Sequence, residues 1–346
     1  MEINIKARNR KGEVFTSLEG ILDNNRFIVS LDLSCNELRN VPDWVNSLEH
    51  LKYLNLAANN LTFLPSWLGE MKSLESLDLF ENKLSYIPES FSALKNLKSL
   101  MLWNNYFVHL SDTVCYLPNL EKLSIDFNML VTISDDIGNL KNLKTLDLAQ
   151  NKLTSVPLSI GQLTLLESIC LDQNDIEVLP DEIGHLKSLK SFSIFANSLK
   201  ELPSSFGRLS SLETVFLNDN NITILPKSFG SLENLDFVEL GGNNLGKVPL
   251  LLFDLQKLET LSLENNDLDC LPAEICSLKS LKVLDLSSNN INFLPQCLTK
   301  MFCLQELNVQ ENPIAKNETE INVYSKTKVV KDVENFDNQG DDDLPF

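Results

Sequence analysis

The sequence has little basic charge, few histidines and no long hydrophobic run. Its 29 lysines and arginines stand against 48 aspartates and glutamates, which gives a formal net charge of −19 over 346 residues. This balance argues against nucleic-acid binding, because phosphates require a basic surface. It favours a soluble monomer whose partners carry basic or apolar patches. No run of about 18 apolar residues occurs, so the sequence predicts no membrane span.

A secretion signal is also absent from the start of the sequence. Residues 1–12 (MEINIKARNRKG) are charged and lack an apolar segment. The seven cysteines are scattered along the chain and do not form the clusters that flank extracellular repeat arrays. Scattered cysteines without a signal peptide are typical of reduced thiols, so we predict a cytoplasmic protein.

An internal repeat of 23 residues is the strongest feature of the sequence. An apolar residue opens thirteen units at this interval, from Ile28 to Leu304, without insertion or deletion. We number the units 1 to 13; each follows the pattern LxxLxLxxNxLxxLPxxφxxLxx, where φ is apolar. The ninth position is always asparagine: Asn36, Asn59, Asn82, Asn105, Asn128, Asn151, Asn174, Asn197, Asn220, Asn243, Asn266, Asn289 and Asn312. Such a period is the signature of a solenoid.

The pattern predicts a structure for each part of the unit. In unit 6, Leu146 and Leu148 alternate with other residues, which predicts a short strand with its leucines inward. Asn151 follows the strand, and its amide can donate to and accept from backbone groups of a buried turn, so we expect all thirteen asparagines to be buried. Pro157 ends the extended stretch before a short return segment. Because strands need only about 4.8 Å each, the bulkier return segments should curve the stack.

We therefore predict an α/β repeat solenoid of about 13 repeats, with a concave parallel sheet and convex short helical or extended segments. Residues 1–27 should form an N-terminal cap, with a strand-like piece and an amphipathic helix whose capping box is Thr16 and Glu19. Residues 28–314 are the repeat array. Residues 315–346 are predicted to be the remnant of a cap and an acidic, disordered tail.

A 23-residue unit with a Leu-Pro pair followed by φxxL resembles the intracellular leucine-rich repeat family over residues 28–314. That family includes the Ras–Raf pathway scaffold, the Ras suppressor protein, the plant intracellular Ras-group proteins and the Scribble-type proteins. The resemblance implies a horseshoe-shaped, non-enzymatic scaffold or adaptor in signal transduction, with a small GTPase or a phosphatase among its expected partners. The sequence departs from the Ras–Raf scaffold in lacking its long basic N-terminal arm, and no PDZ domain follows the array.

Large apolar side chains mark two places on the outward face of the predicted sheet. Its outward positions, the third, fifth, seventh and eighth of each unit, hold mostly small or polar residues. The first cluster is Phe80, Met101, Trp103 and Phe127, with Tyr106 and Met129 on the rim, and the second cluster is Phe195, Phe216 and Phe237. Such side chains serve no core, so we predict that a protein partner binds both clusters on the concave face. The alternative is neutral variation, since isolated exposed apolar groups are common.

Acidic residues surround both clusters, and we include Asp126 and Asp172 among the predicted contact residues. Lys122 is the one base in the four outward columns. Gly241 and Gly242 replace outward side chains in unit 10, which should leave room for a close approach to the sheet. Ser111 and Ser134 replace the proline in units 4 and 5. The loss of proline indicates either an altered return segment or neutral variation of the sequence.

No motif predicts catalysis, a cofactor or a metal. His50, His109 and His185 share no face with a carboxylate or cysteine at ligand spacing. One alternative is a zinc site formed by the four cysteines of units 11 and 12. Their two C-x5-C pairs differ from the usual C-x2–4-C spacing, so small buried or half-buried hydrophobes are the favoured interpretation: Cys270, Cys276, Cys297 and Cys303. The competing function is a targeting arm of a larger enzyme, such as a phosphatase, kinase, cyclase or ubiquitin ligase.

Overall fold

The computed structural model describes residues 4–317 and 327–331. Within them, sixteen strands form one open sheet. The strands are β1 Lys6–Asn9, β2 Val14–Phe15, β3 Ile28–Asp32, β4 Tyr53–Asn55, β5 Ser76–Asp78, β6 Ser99–Met101, β7 Lys122–Ser124, β8 Thr145–Asp147, β9 Ser168–Cys170, β10 Ser191–Ser193, β11 Thr214–Phe216, β12 Phe237–Glu239, β13 Thr260–Ser262, β14 Val283–Asp285, β15 Glu306–Asn308 and β16 Lys328–Val330.

The return segments are short and helical. Two are α-helices, α1 Leu18–Asp23 and α2 Asp112–Cys115, and the others are single 3-10 turns. The 3-10 helices span Asp43–Ser47, Ser66–Glu70, Glu89–Ala93, Asp135–Asn139, Leu158–Gln162, Asp181–His185, Ser204–Arg208, Lys227–Ser231, Leu250–Asp254, Ala273–Ser277, Gln296–Lys300 and Pro313–Lys316. In the described residues, no helix has the length and apolar character needed to cross a bilayer.

The predicted solenoid is confirmed, with one parallel strand in each of the thirteen units from β3 to β15. Each strand pairs with the next at a shift of 23 residues, so that Leu146 lies between Leu123 and Ile169. Their side chains are buried, and the neighbouring strand residues point outward. Repetition of one unit therefore gives columns of equivalent side chains on the open face of the sheet.

The asparagine column stabilises the turn that follows each strand. Asn151 donates from Nδ2 to the carbonyls of Ile125, Leu148 and Ala149 at 3.1, 3.0 and 3.1 Å. Its Oδ1 accepts from the amide of Leu130 at 2.9 Å. One side chain thus satisfies four backbone groups in two successive units, which a leucine cannot do.

Two members of this column depart from the prediction that all thirteen are buried. Eleven are buried, but Asn36 and Asn197 are only half-buried. Asn36 lies in the first unit and has no preceding unit to contact. Its side-chain Nδ2 donates instead to the carbonyl of Asn4 in the N-terminal segment. Asn197 retains the usual bonds, including one from the amide of Ile176 to its Oδ1 at 3.0 Å.

The N-terminal segment places an antiparallel hairpin against the first unit. Strand β1 pairs with both β2 and β3, and Ile21 of α1 is fully buried. The cap of α1 is Ser17, whose hydroxyl accepts from the amide of Gly20 at 3.2 Å. The predicted capping residue, Thr16, is therefore wrong by one position.

The opposite end of the sheet contains a strand that the sequence did not predict. Lys328–Val330 forms β16, which pairs in parallel with β15. The prediction of a disordered tail is wrong for these residues, because the apolar pair Val329 and Val330 extends the sheet. The rest of the predicted tail, residues 318–326 and 332–346, lies outside the described residues.

A disulfide joins Cys276 to Cys297, so the prediction of reduced thiols is wrong for this pair. Stacking of the return helices of units 11 and 12 brings their Cα atoms to 6.1 Å, within the range that a disulfide spans. Cys270 and Cys303 are exposed, which also contradicts the interpretation of all four cysteines as buried hydrophobes. Over the described residues, no group of three histidines, cysteines or carboxylates could hold a metal ion.

A ladder of opposite charges follows the second position of units 2 to 8. This position alternates between lysine and glutamate in the order Lys52, Glu75, Lys98, Glu121, Lys144, Glu167 and Lys190. Glu75 pairs with both of its neighbours, at 2.5 and 3.0 Å. Further along, Lys144 pairs with Glu121 at 2.7 Å and Lys190 with Glu167 at 2.9 Å. The pairs are exposed to solvent, so each is weak.

Candidate protein-binding surface

The first aromatic cluster is a stack across the open face of β5, β6 and β7. Phe80 and Trp103 occupy the same position in successive units, and their rings lie 4.4 Å apart with only 3° between the planes. Phe127 continues the series at 6.5 Å from Trp103, tilted by 57°. The first two rings are half-buried by this contact, while Phe127 remains 48% exposed. The structure thus brings three of the predicted contact residues together.

The remaining members of the first cluster extend it in two directions. Met101 lies at the end of β6 and is half-buried on the open face. Tyr106 and Met129 follow the asparagine turns and are both exposed. The apolar surface therefore continues from the sheet onto the rim of the solenoid.

The second cluster is a ring pair beside a separate phenylalanine. Phe216 and Phe237 lie on the adjacent strands β11 and β12, with ring centroids 5.1 Å apart and planes at 44°. Within the described residues no ring contact joins Phe195 to this pair. The amide of Phe195 instead donates to Asp172 Oδ1 at 2.8 Å, and that oxygen also accepts from the hydroxyl of Ser193.

Five carboxylates near the two clusters are partly buried. Burial raises the pKa of Asp78, Asp126, Glu239 and Glu264 above its ordinary value. The pKa of Asp147 rises to about 6, first through burial and then through repulsion from neighbouring aspartates. None of the ion pairs found among the described residues involves these five groups. A basic partner would therefore meet carboxylates that lack a cation.

The glycine pair of unit 10 does not leave the open space that the sequence predicts. A Cβ atom on Gly241 would clash with the side chain of Glu264, and one on Gly242 would clash with the carboxylate of Asp219. Gly242 also has φ +63°, a left-handed conformation that favours glycine. The two carboxylate side chains therefore occupy the space over the glycine backbone.

The loss of proline in units 4 and 5 has different effects in the two units. Ser111 and Ser134 keep the extended backbone that proline has elsewhere, and their hydroxyls accept from the amides two residues later, at 3.3 and 3.1 Å. After Ser111 the return segment becomes α2, whereas after Ser134 it stays a 3-10 helix. Only the first substitution accompanies an altered return segment.

Several exposed apolar residues near the first cluster were missed by the sequence analysis. Tyr53 lies at the third position of unit 2 and is 48% exposed. Phe63 and Tyr86 lie at the thirteenth position of units 2 and 3 and are 43% and 52% exposed. For Phe63 and Tyr86 the signal was an aromatic residue at the same position of successive units, but the thirteenth position lies outside the four columns that the strand pattern assigns to the open face. Tyr53 lies inside those columns and was missed although the pattern places it on the open face.

The geometry favours binding over nucleophilic chemistry. Burial raises the pKa of the Cys115 thiol to about 12 and also raises that of Cys170. Thiolate is the nucleophilic form of cysteine, so neither group is activated. What the open face presents is aromatic surface beside carboxylates, a combination that can bind an apolar and basic protein surface.

Comparison with known proteins gives the same repeat along most of the chain. A family model described as a leucine-rich repeat region matches residues 21–130 and 114–198, and one described as a leucine rich repeat matches 187–245 and 256–314. A search of curated proteins finds no match.

Solved structures share the architecture. A leucine-rich repeat protein of Leptospira interrogans is 29% identical, with a TM-score of 0.64 over 91% of this chain and 99% of that protein. An internalin of Listeria monocytogenes is 23% identical, with a TM-score of 0.79 over 93% and 90%, which shows the fold alone. The plant peptide hormone receptor RGFR1, in complex with RGF2, is 26% identical, with a TM-score of 0.70. That match covers 94% of this chain and 59% of the receptor chain.

Proposed function

Because this chain belongs to the leucine-rich repeat family, we propose that it is a non-enzymatic interaction module whose protein partner binds the open face of the sheet. Proteins with this repeat are in general protein-interaction modules, and the structure of the plant receptor is that of a complex with RGF2. The observation that carries the proposal is the parallel stack of Phe80 on Trp103. It lies where most other units place small or polar side chains, and it fills no core.

Charge indicates the chemistry of the partner. Asp78, Asp126 and Asp147 lie close to the first cluster, and Glu239 and Glu264 lie close to the second. Since burial disfavours their ionised forms, lysines or arginines of a partner would stabilise them. The partner should therefore combine apolar anchors with a basic surface, and its association should slow as salt concentration rises.

The resemblance to intracellular repeat proteins supports a more specific proposal. In it, the chain is a cytoplasmic scaffold or adaptor in signal transduction, and a small GTPase or a phosphatase is the expected type of partner. The basic and apolar surface required above is the criterion by which such candidates can be chosen.

Proximity labelling in cells, followed by affinity measurement with the purified candidate, tests this function. Trp103→Ala and Phe216→Ala should each weaken binding at least tenfold, because an anchor in a desolvated interface contributes about 2 kcal/mol or more. Lys141→Ala, on an exposed return segment, is the matched control and should leave affinity unchanged. Wild-type affinity in both aromatic variants, with unchanged melting temperatures, would rule out the open face as the binding surface.

A further inference from the structure

An apolar surface lies on the rim of units 2 to 5, where it adjoins the first cluster and shares Tyr106 and Met129 with it. We define the apolar rim as the exposed apolar side chains at positions 10, 12 and 13 of these units, where exposed polar residues such as Thr62 and Ser85 lie among them. The apolar side chains are Phe63, Tyr86, Tyr106, Val108, Met129 and Val131, with exposed fractions of 43, 52, 51, 40, 36 and 42%. Exposed apolar residues that recur in neighbouring units can mark an interaction surface of a protein.

The fold itself does not require apolar residues at these positions. In units 7 and 8 the twelfth position holds Glu177 and Lys200, which form an ion pair at 2.9 Å. In unit 6 the same stretch contains Lys152, Thr154 and Ser155. Units 6 and 8 have only polar or charged residues at positions 10, 12 and 13 and adopt the same backbone, so the fold does not require an apolar rim.

Backbone pairing fixes the spacing along the apolar rim. The amides of Tyr106 and Met129 donate to the carbonyls of Leu84 and Phe107, at 2.8 and 2.9 Å, in the preceding units. The amide of Val131 donates to the carbonyl of Val108 at 3.2 Å. Equivalent side chains of successive units are therefore separated by roughly the 4.8 Å of paired strands.

This spacing fits a helix better than an extended peptide. An α-helix advances about 5.4 Å per turn, so residues one turn apart can pack between successive ridges of the rim. An extended strand presents the same face every second residue, at about 6.7 Å, and would lose register within two units. Four ridges span about 15 Å, which corresponds to roughly ten helical residues.

Acidic residues border the apolar rim on both sides. Glu81 and Asp126 lie on the side of the open face. Glu89, Asp112 and Asp135 begin the return helices of units 3, 4 and 5 on the other side. Within the rim positions of these units, Lys83 is the one lysine or arginine. The charges therefore complement a ligand with basic residues along both edges of an apolar stripe.

We propose that the apolar rim binds a basic amphipathic α-helix of a partner protein. The apolar face of that helix packs on Tyr106 and Met129, at the tenth position of units 4 and 5, and continues onto Tyr86, at the thirteenth position of unit 3. Its lysines or arginines contact the acidic borders. The apolar rim shares Tyr106 and Met129 with the first cluster but does not include the stack of Phe80 on Trp103, so Trp103→Ala distinguishes binding at the rim from binding on the open face.

A designed peptide provides the probe. We would use a fluorescein-labelled 14-residue peptide with leucines at helical spacing and lysines along both borders of the leucine face. An isomer of identical composition, in which leucine and lysine alternate, controls for charge attraction to the acidic protein. Fluorescence anisotropy gives the affinity, and circular dichroism reports whether the peptide becomes helical on binding.

The decisive variant is the double substitution Tyr86→Ala and Tyr106→Ala, for which we expect at least tenfold weaker binding. The matched control is Val178→Ala with Ile224→Ala, because both residues lie at the thirteenth position of other units and are 65% exposed. All four substitutions are at exposed sites, so melting temperatures should stay close to that of the wild type. The alternating isomer should bind at least tenfold more weakly than the helical peptide.

Four results would overturn the proposal. They are absence of saturable binding by the wild-type protein, equal binding by the rim variant, equal binding of the alternating isomer, or loss of binding in Trp103→Ala alone. Sedimentation of the protein without peptide tests whether a second copy of the chain binds the apolar rim. A dimer that dissociates in the rim variant would assign this surface to a second copy of the chain instead.

Discussion

Units 2 to 5 and units 7 to 10 share one scaffold and differ in what they expose. Asn105 and Asn220 make equivalent sets of four hydrogen bonds, including one from each Nδ2 to the carbonyl 26 residues earlier, at 3.0 and 2.9 Å. The first region carries a parallel ring stack and an apolar rim, whereas the second carries a tilted ring pair among carboxylates. The inward positions therefore determine the fold, and the outward positions are free to differ from one region to the other.

The largest expected effect comes from comparing an inward with an outward phenylalanine of unit 8. Phe192 is fully buried on β10 and meets Phe206 edge-on at 5.2 Å. Phe192→Ala should lower the free energy of unfolding by about 3–5 kcal/mol, through lost burial and a residual cavity. Phe195→Ala removes an outward ring and should cost less than about 1 kcal/mol. Chemical denaturation measures both, and similar losses would show that outward residues also support the core.

The second test asks whether the scaffold is uniform. Asn105→Leu and Asn220→Leu should each destabilise the protein by about 3 kcal/mol, because each leaves buried backbone groups without partners. The expected losses are equal despite the different surfaces of the two regions. Asn36→Leu is the control, since this residue lies half-buried in the first unit, and its loss should be smaller. A difference of more than about 1 kcal/mol between Asn105 and Asn220 would show that surface and scaffold are coupled.

The smallest expected effect concerns Asp147, which lies between the two regions. Its folded pKa is raised from 3.8 to about 6, so ionisation costs stability as pH rises from about 4 to 6, and the cost persists above that range. Asp147→Asn should therefore stabilise the protein at pH 7.5, by about 1 kcal/mol after allowance for solvent screening. The gain should shrink towards pH 4. Thermal melts across this range measure it, with the exposed Asp175→Asn as control, and a gain independent of pH would contradict the assigned cause.

The repeated parts of the fold were predictable because one physical reason applies in every unit. Leu146, Leu148 and Asn151 define the strand and its turn, and the same spacing recurs thirteen times. The ends were less predictable, since a local pattern does not identify which neighbour is available. Ser17 replaced the predicted cap Thr16, and Asn36 found its partner in the N-terminal segment.

The repeat also explains which of the predicted contact residues lie together. Phe80 and Trp103 could be brought together from sequence because equivalent positions stack directly. Phe195, Phe216 and Phe237 lie at different positions in their units, and only the last two rings meet. The disulfide between Cys276 and Cys297 joins the nineteenth and seventeenth positions, so it depends on how two return helices pack and not on the repeat period. Whether either cluster binds a partner stays a prediction.

The alternating charges at the second position of units 2 to 8 can favour the correct order of units in the stack. Units of nearly identical sequence can stack on a wrong neighbour, for example if one unit loops out during folding. In the native order Glu75 lies between Lys52 and Lys98, whereas omission of any one of units 3 to 8 would place lysine on lysine or glutamate on glutamate. Each native pair is weak, but every such error exchanges attraction for repulsion. The alternating charges thus favour a stack of consecutive units over one in which a single unit is skipped.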